Sequence, residues 1–347
     1  MPRTTSVNLT GAITTAHPYS TIQPNGRAGG GALVWFFMQS NHWPAVAVVG
    51  AGAVGCYFGG MLARAGVPVV LIGRARHMEA IARDGLLLEG TRIHERIPLQ
   101  TSTSIECIGD TQVVLFCVKT VDTETAALQL RPFLTPDAAV LSFQNGVDNV
   151  DRMLRTTGVR AVPVAVYVAA AMTGPGHVTH TGRGDLVLGH RAGWPSRPDL
   201  QPLSALFEHA GIPCRISEAI EADLWTKMVM NCAYNAISAL TRARYGRILE
   251  FPPLREVMRR AIAETVGVAR AEGVSLSEPA LVEAAFQLGE AMRGAHSSTA
   301  QDIGLGRPTE IDSLNGFVAR RGAQLGIATP VNDTLYALVK LLEQSGH

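Results

Sequence analysis

Ala45-Val46-Ala47-Val48-Val49-Gly50-Ala51-Gly52-Ala53-Val54-Gly55 is the stretch that decides the fold of this chain. Its first five residues form an apolar run rich in β-branched valine and too short for a helix. Glycines follow at once, so the stretch predicts strand, tight turn and helix. Glycine is required three times: Gly50 for the turn, Gly52 so that backbone can approach a pyrophosphate, and Gly55 so that the helix packs closely on its strand. A pyrophosphate would rest on the helix N-terminus, where free N–H groups point outward. Gly50, Ala51, Gly52, Ala53, Val54 and Gly55 are therefore candidate contacts of a dinucleotide. Glycine-rich turns are common, so context matters: Val69-Val70-Leu71-Ile72 supplies a second strand after the helix closes near Gly66, completing a βαβ unit.

The end of that second strand bears on the choice of dinucleotide. NAD-binding sites place a carboxylate there for the ribose 2′-hydroxyl, yet no carboxylate occurs between Gly50 and Glu79. Gly73-Arg74-Ala75-Arg76 stands there instead, and an arginine fork suits a 2′-phosphate, so NADPH is the expected cofactor with Arg74 as a contact. Two buried strands follow, Val113 to Val118 and Ala139 to Phe143, which end in Lys119 and in Gln144-Asn145-Gly146. Ligands of open parallel sheets bind outside the carboxyl ends of the strands, which makes Lys119 and Asn145 candidate cofactor contacts. Read without the glycine motif, Asn145-Gly146 is a turn and Lys119 a surface charge. Val162 to Val168, Leu186 to Leu188 and Pro213 to Ile216 read as further short strands separated by turns such as Thr173-Gly174-Pro175-Gly176.

Composition narrows the function classes. The 347 residues are 47% hydrophobic, enough for two domains with real cores, and the formal charge of +1 is mixed along the chain, which argues against nucleic acid as a partner. The five cysteines are scattered and never spaced C-x-x-C, and His177, His180 and His190 lack ligand spacing, so neither disulfide nor metal is expected. Reduced thiols suit a cytoplasmic protein. Pro44 to Ala63 carries no charge and is long enough to span a bilayer, but five glycines interrupt it, so no membrane segment is expected. Residues 1–43 hold no Asp or Glu and read as a disordered extension, a transit segment or an over-called start with Met38 the true beginning. The expected layout is α/β: an N-terminal Rossmann-type doubly wound sheet over 44–217, then a C-terminal all-α substrate domain over 218–347.

In that second half, Asp223 to Ile237 predicts a helix on which Lys227, Asn231 and Asn235 recur every four positions and share a face. The other positions are apolar almost all round, so the helix is buried, and a buried ammonium and two amides cost several kcal/mol unless partnered by protein or by a polar ligand. A second polar cluster runs from Ser297 to Asp312, where glycines break one helix and Pro308 begins the next, placing Glu310 in a first turn. Capping alone favours a carboxylate there.

These residues in this order resemble the ketopantoate reductase family, also called 2-dehydropantoate 2-reductases. The resemblance runs from Val46 to about Leu342 through Gly-x-Gly-x-x-Gly, Gln144-Asn145-Gly146, Trp225-x-Lys227-x-x-x-Asn231-x-x-x-Asn235, Ser298 and Thr309-Glu310-Ile311-Asp312. It implies NADPH-dependent reduction of 2-dehydropantoate to (R)-pantoate, a step toward pantothenate and coenzyme A. It also implies that Lys227 is the catalytic lysine and proton donor, and that Asn231, Asn235 and Ser298 hold substrate. Glu310 would lie where substrate meets nicotinamide, with Lys119 and Asn145 on the cofactor. Where the family often carries another substrate-binding asparagine this chain has Tyr245, whose hydroxyl would take the place of the amide as a substrate contact, a departure that bears on substrate identity. A related 2-oxo acid reductase with another side-chain preference is the nearest alternative, and a non-catalytic NADPH-binding regulator is the alternative of a different class. The helical half offers apolar surface for a homodimer.

Overall fold

The computed structural model describes residues 43–91, 93–194 and 199–344. Apart from Trp43, the reading of residues 1–43 therefore lies outside the described residues. The opening motif folds as strand β1 (Val46–Val49), a turn, and helix α1 (Ala53–Arg64), followed by β2 (Val69–Ile72) and α2 (Ala75–Asp84). β1 is buried throughout, and its side chains alternate between two cores. Val46 and Val48 pack with Phe58 and Leu62 of α1, whereas Ala47 and Val49 face Val114 and Phe116. A strand covered on both faces reads as a continuous apolar run, which is why this one carries no polar alternation.

β3 (Leu86–Gly90), β4 (Ile93–Ile97) and β5 (Gln100–Ser102) precede β6 (Val113–Phe116), α3 (Thr123–Leu130), β7 (Ala139–Ser142) and α4 (Asn149–Thr157). β8 (Val162–Gly174), β9 (His177–Gly189), α5 (Gln201–His209) and β10 (Cys214–Ser217) complete the half. The sheet order is β4-β3-β9-β8-β7-β6-β1-β2-β5, with β10 against β9. Within it, β5-β2-β1-β6-β7-β8 run parallel in the doubly wound order of a Rossmann fold, reversing between β1 and β6, where such sheets bind ligands. Beyond β8 the sheet is mixed: β9 runs antiparallel to β8 as the second arm of one long hairpin and parallel to β3 and β10, and the two short strands expected at 162–168 and 186–188 are parts of the hairpin arms. The hairpin turns at Pro175-Gly176, with Gly176 at φ +64°.

From Ile220 onward the described residues form helices joined by loops, with no strand among them: α6 (Ile220–Thr241), α7 (Tyr245–Leu249), α8 (Pro252–Ala271), α9 (Glu278–Ala291), α10 (Ser298–Gly304), α11 (Asn315–Leu325) and α12 (Pro330–Gln344). α6 is the axis of this half. Val229, Tyr234 and Ile237 pack with Ile262 and Val266 of α8 and with Leu335 and Val339 of α12, while Trp225, Met228 and Cys232 pack with Val318 of α11. Its first residue, Ile220, rests on Ala165 and Val187 of the hairpin, so α6 starts on the sheet and carries its next turns past the strand ends. Among the described residues no helix is long and apolar enough to cross a membrane.

One local expectation is corrected. Pro308 does not open a helix; residues 307–310 are irregular, Ile311–Ser313 form a single 3-10 turn, and α11 begins only at Asn315. Tertiary bonds hold the segment open. The Thr309 N–H and hydroxyl both donate to Glu343 Oε1, at 2.7 and 2.6 Å, and Asp312 accepts from Tyr336 and Lys340. Glu310 precedes the 3-10 turn without capping it through its side chain, so the capping account of this carboxylate fails.

Candidate active site

At the mouth of the β1–α1 turn, the Gly50 and Ala51 N–H groups both donate to the Ile72 carbonyl, at 3.0 and 3.1 Å. Gly50 sits at φ +108°, and a Cβ there would lie 2.7 Å from the Cys117 backbone, so neither conformation nor space admits a side chain. A Cβ on Gly55 would collide with the Gly50 carbonyl. Gly52, by contrast, faces open space and precedes α1 without a side-chain cap. The first-turn N–H groups lack side-chain acceptors and have room in front of them, which is the cradle a pyrophosphate requires. Ala53 and Val54 begin the helix half-buried, and Ala51 is buried beneath the turn.

Arg74 stands at the N-cap of α2, exposed, with Arg76 two residues on. His77 beside them has its pKa lowered, first by burial and then by the charges of Arg76, Arg307 and Arg74. Arg307 belongs to the helical half and was not foreseen. The charges of all three guanidinium groups thus reach His77, in the first turn of α2 after β2. Lys119 follows β6 and reaches across to the helical half, donating to Asp302 Oδ2 at 3.0 Å and to the Pro308 carbonyl at 2.5 Å.

A three-residue hydrogen-bonded chain links the sheet half to the helical half. Lys227 Nζ, on α6, donates to Asn145 Oδ1 at 2.8 Å, and Asn145 Nδ2 donates to Glu310 Oε2 at 2.8 Å. Glu310 Oε1 accepts from the Thr120 N–H at 3.2 Å and from its hydroxyl at 3.4 Å. The Asn145 carbonyl in turn accepts from Thr120 Oγ1 and Asn149 Nδ2, fixing the turn after β7 from both sides. Three distant segments therefore bring a cation, an amide and a carboxylate into line. Burial pushes the Lys227 pKa down to about 8; Glu310 acts to raise it and Arg183 to lower it further. Thr120 and Arg183 are the participants that sequence reasoning passed over. Thr120 follows a candidate strand end and was within reach of that argument, whereas nothing local marks Arg183.

Asn231 and Asn235 lie one and two turns beyond Lys227 on α6. Among the described residues no protein group takes either side-chain amide. Ser297 is buried and caps α10, donating to the Asn235 carbonyl at 3.1 Å and accepting from the Ala300 N–H, which leaves the neighbouring Ser298 exposed. Tyr245 does not join this chain. Its ring stacks on Tyr234 with centroids 4.2 Å apart in the helical core, and burial raises its hydroxyl pKa to about 12.

Comparison with known proteins identifies the family of this fold. Residues 46–193 match the family model described as ketopantoate reductase PanE/ApbA, and residues 219–343 match its C-terminal model. The 2-dehydropantoate 2-reductase of Halobacterium salinarum is 34% identical over 87% of this chain and 99% of its own length. A crystal structure of a PanE/ApbA family ketopantoate reductase from Ralstonia eutropha superposes with a TM-score of 0.81 at 44% identity, covering 87% of this chain and 99% of that one. D-mandelate dehydrogenase, in a ternary structure with NADH and anilino(oxo)acetate, gives the same TM-score at 25% identity, covering 87% of this chain and 98% of that one. By sequence and by fold, with both family models matched in order, this chain is an oxidoreductase belonging to the ketopantoate reductase family.

Proposed function

We propose that this protein reduces 2-dehydropantoate to (R)-pantoate with NADPH, and that Lys227 delivers the proton. The Lys227–Asn145–Glu310 chain carries the reading. Gly50 to Gly55 would hold the pyrophosphate, and Arg74 with Arg76 and Arg307 would hold the 2′-phosphate, a dianion that three guanidinium groups favour over a plain hydroxyl. When bound, the nicotinamide supplies a hydride to the C2 carbonyl of the substrate.

The residues of the chain do the rest. Lys227 donates a hydrogen bond to the carbonyl oxygen and neutralises the alkoxide as it forms, then gives up its proton. Its lowered pKa suits the donor, since an acid titrating near working pH releases a proton more readily than an ordinary lysine. Asn145 holds the ammonium by its amide oxygen, and Glu310 holds Asn145. Asn231, Asn235 and Ser298, free of protein partners or exposed, would take the carboxylate and distal hydroxyl of the substrate and fix a near-attack pose.

Tyr245 and the likeness to D-mandelate dehydrogenase favour one second reading, reduction of another branched or aryl 2-oxo acid. Steady-state oxidation of NADPH with ketopantoate, 2-oxoisovalerate and phenylglyoxylate separates the two. A higher kcat/KM for a substrate lacking the distal hydroxyl overturns the pantoate assignment. Tight NADPH binding with no turnover of any 2-oxo acid overturns the enzyme mechanism in favour of a regulatory protein.

A further inference from the structure

Arg183 lies outside every motif, on the β9 arm of the hairpin, and takes an unusual conformation. Tyr167 pairs with Asp185 and Val168 with Arg183, so Gly184 is an extra residue, a bulge. A side chain at Gly184 would strike the Tyr57 hydroxyl, and Arg183 beside it takes the left-handed backbone at φ +51°. Few non-glycine residues adopt that region without a compensating interaction. Here the His180 ring contacts the Arg183 carbonyl, and Asp185 grips the guanidinium at both ends, Nε to Oδ1 at 2.9 Å and Nη2 to Oδ2 at 2.6 Å.

Held this way, the guanidinium carbon lies 4.1 Å from the centroid of the Tyr167 ring. Lys227 Nζ lies 5.8 Å from the same centroid. The two distances cap the separation of the charges at about 10 Å, roughly one Debye length at about 0.1 M salt, so each feels the other. Among the described residues Arg183 Nη1 has no partner, and it retains hydrogens to offer an anion.

We propose that Arg183 is a positioning residue for the reaction at Lys227: clamped by Asp185 on Tyr167, it backs the lysine with a second positive charge and draws the carboxylate of an anionic 2-oxo acid to that side of the cleft. This rests on the reading in which Lys227 meets the substrate. The groups around Lys227 are Asn145 after β7, Glu310 before the 3-10 turn, Arg183 and Tyr167 on the hairpin, and Asp223 one turn back on α6, which is occupied by Ser217 and Arg215. Of these, Arg183 is the cation that opposes a charge on Lys227.

The test compares Arg183→Met, Arg183→Lys and Asp185→Asn in the full chain, with thermal melting as a check on folding. Two quantities are read: KM and kcat for ketopantoate, and the pH midpoint for acylation of Lys227 by an anhydride, followed by mass spectrometry and independent of turnover. Arg183→Met is expected to raise KM about threefold to tenfold with kcat changed less than about twofold, and to move the midpoint up by about half a pH unit. Arg183→Lys restores most of KM. Asp185→Asn leaves the arginine charge unshielded and moves the midpoint down. Shifts in the same direction for both charge removals, or an unmoved midpoint and KM in Arg183→Met, overturn the inference. A wild-type protein that reduces no 2-oxo acid while the midpoint still follows Arg183 overturns the functional reading and the anion-capture role, and leaves only the electrostatic link.

Discussion

Lys227 is held by one amide oxygen, and the smallest scale already sets a pH profile. Burial favours its neutral form, so the ammonium persists only up to about pH 8. A lysine that donates the proton, as proposed, must be charged for carbonyl reduction. The expected kcat for reduction is therefore level below that pH and falls about tenfold per unit above it, while oxidation of the alcohol shows the mirror-image rise. Lys227→Ala should lower kcat by about a hundredfold or more and leave the NADPH dissociation constant within about twofold, read by stopped-flow and fluorescence titration. Equal losses in both would contradict a role confined to the proton. The four-residue spacing of Lys227, Asn231 and Asn235 was legible because a helix turns that common face into local arithmetic. Asn145 as the joint between Lys227 and Glu310 was not, because its partners lie 82 and 165 residues away. Arg183 was invisible for the same reason.

At the scale of elements, the β1–α1 turn separates two uses of glycine. Gly50→Ala forces a left-handed backbone and a backbone clash at 2.7 Å, and should cost about 2–4 kcal/mol together with dinucleotide binding. Gly52→Ala meets open space, so its melting temperature should stay nearly unchanged while NADPH affinity falls. If both variants lose the same stability, the turn is a packing device rather than a cradle. Strands were readable where both faces are buried, as in β1, β2, β6 and β7. β4, Ile93-His94-Glu95-Arg96-Ile97, sits at the sheet edge with three exposed polar residues between its isoleucines and gave no such run. β3 and the three-residue β5 were also passed over; β5 is too short for periodicity to register. The expected helix at Pro308 failed because local preference lost to Glu343 and Lys340 on α12.

The two halves of the molecule share their sites. Lys119 and Thr120 of the sheet half bond to Asp302, Pro308 and Glu310 of the helical half, and the charge of Arg307 reaches His77 together with those of Arg74 and Arg76. Cofactor choice should accordingly depend on both halves. Arg74→Ala and Arg307→Ala are each expected to lower the ratio of kcat/KM for NADPH over NADH by about tenfold or more, the loss of one charge-assisted contact to phosphate. A drop confined to Arg74→Ala would assign the phosphate to the sheet half alone. The succession of a Rossmann sheet and a helical bundle could be read from the chain because each has its own hydrophobic period, whereas no period encodes how they meet.

The Asn145 bridge has a consequence for how the enzyme is reset between cycles. A carboxamide accepts on its oxygen and donates from its nitrogen, but it does not relay a hydron from one side to the other as a water or an imidazole would. Glu310 can therefore steady the amine without ever refilling it through this bridge. If Lys227 is the proton donor proposed above, a spent amine takes its next proton by a route other than this bridge, so that recharging is separate from the bond-making event.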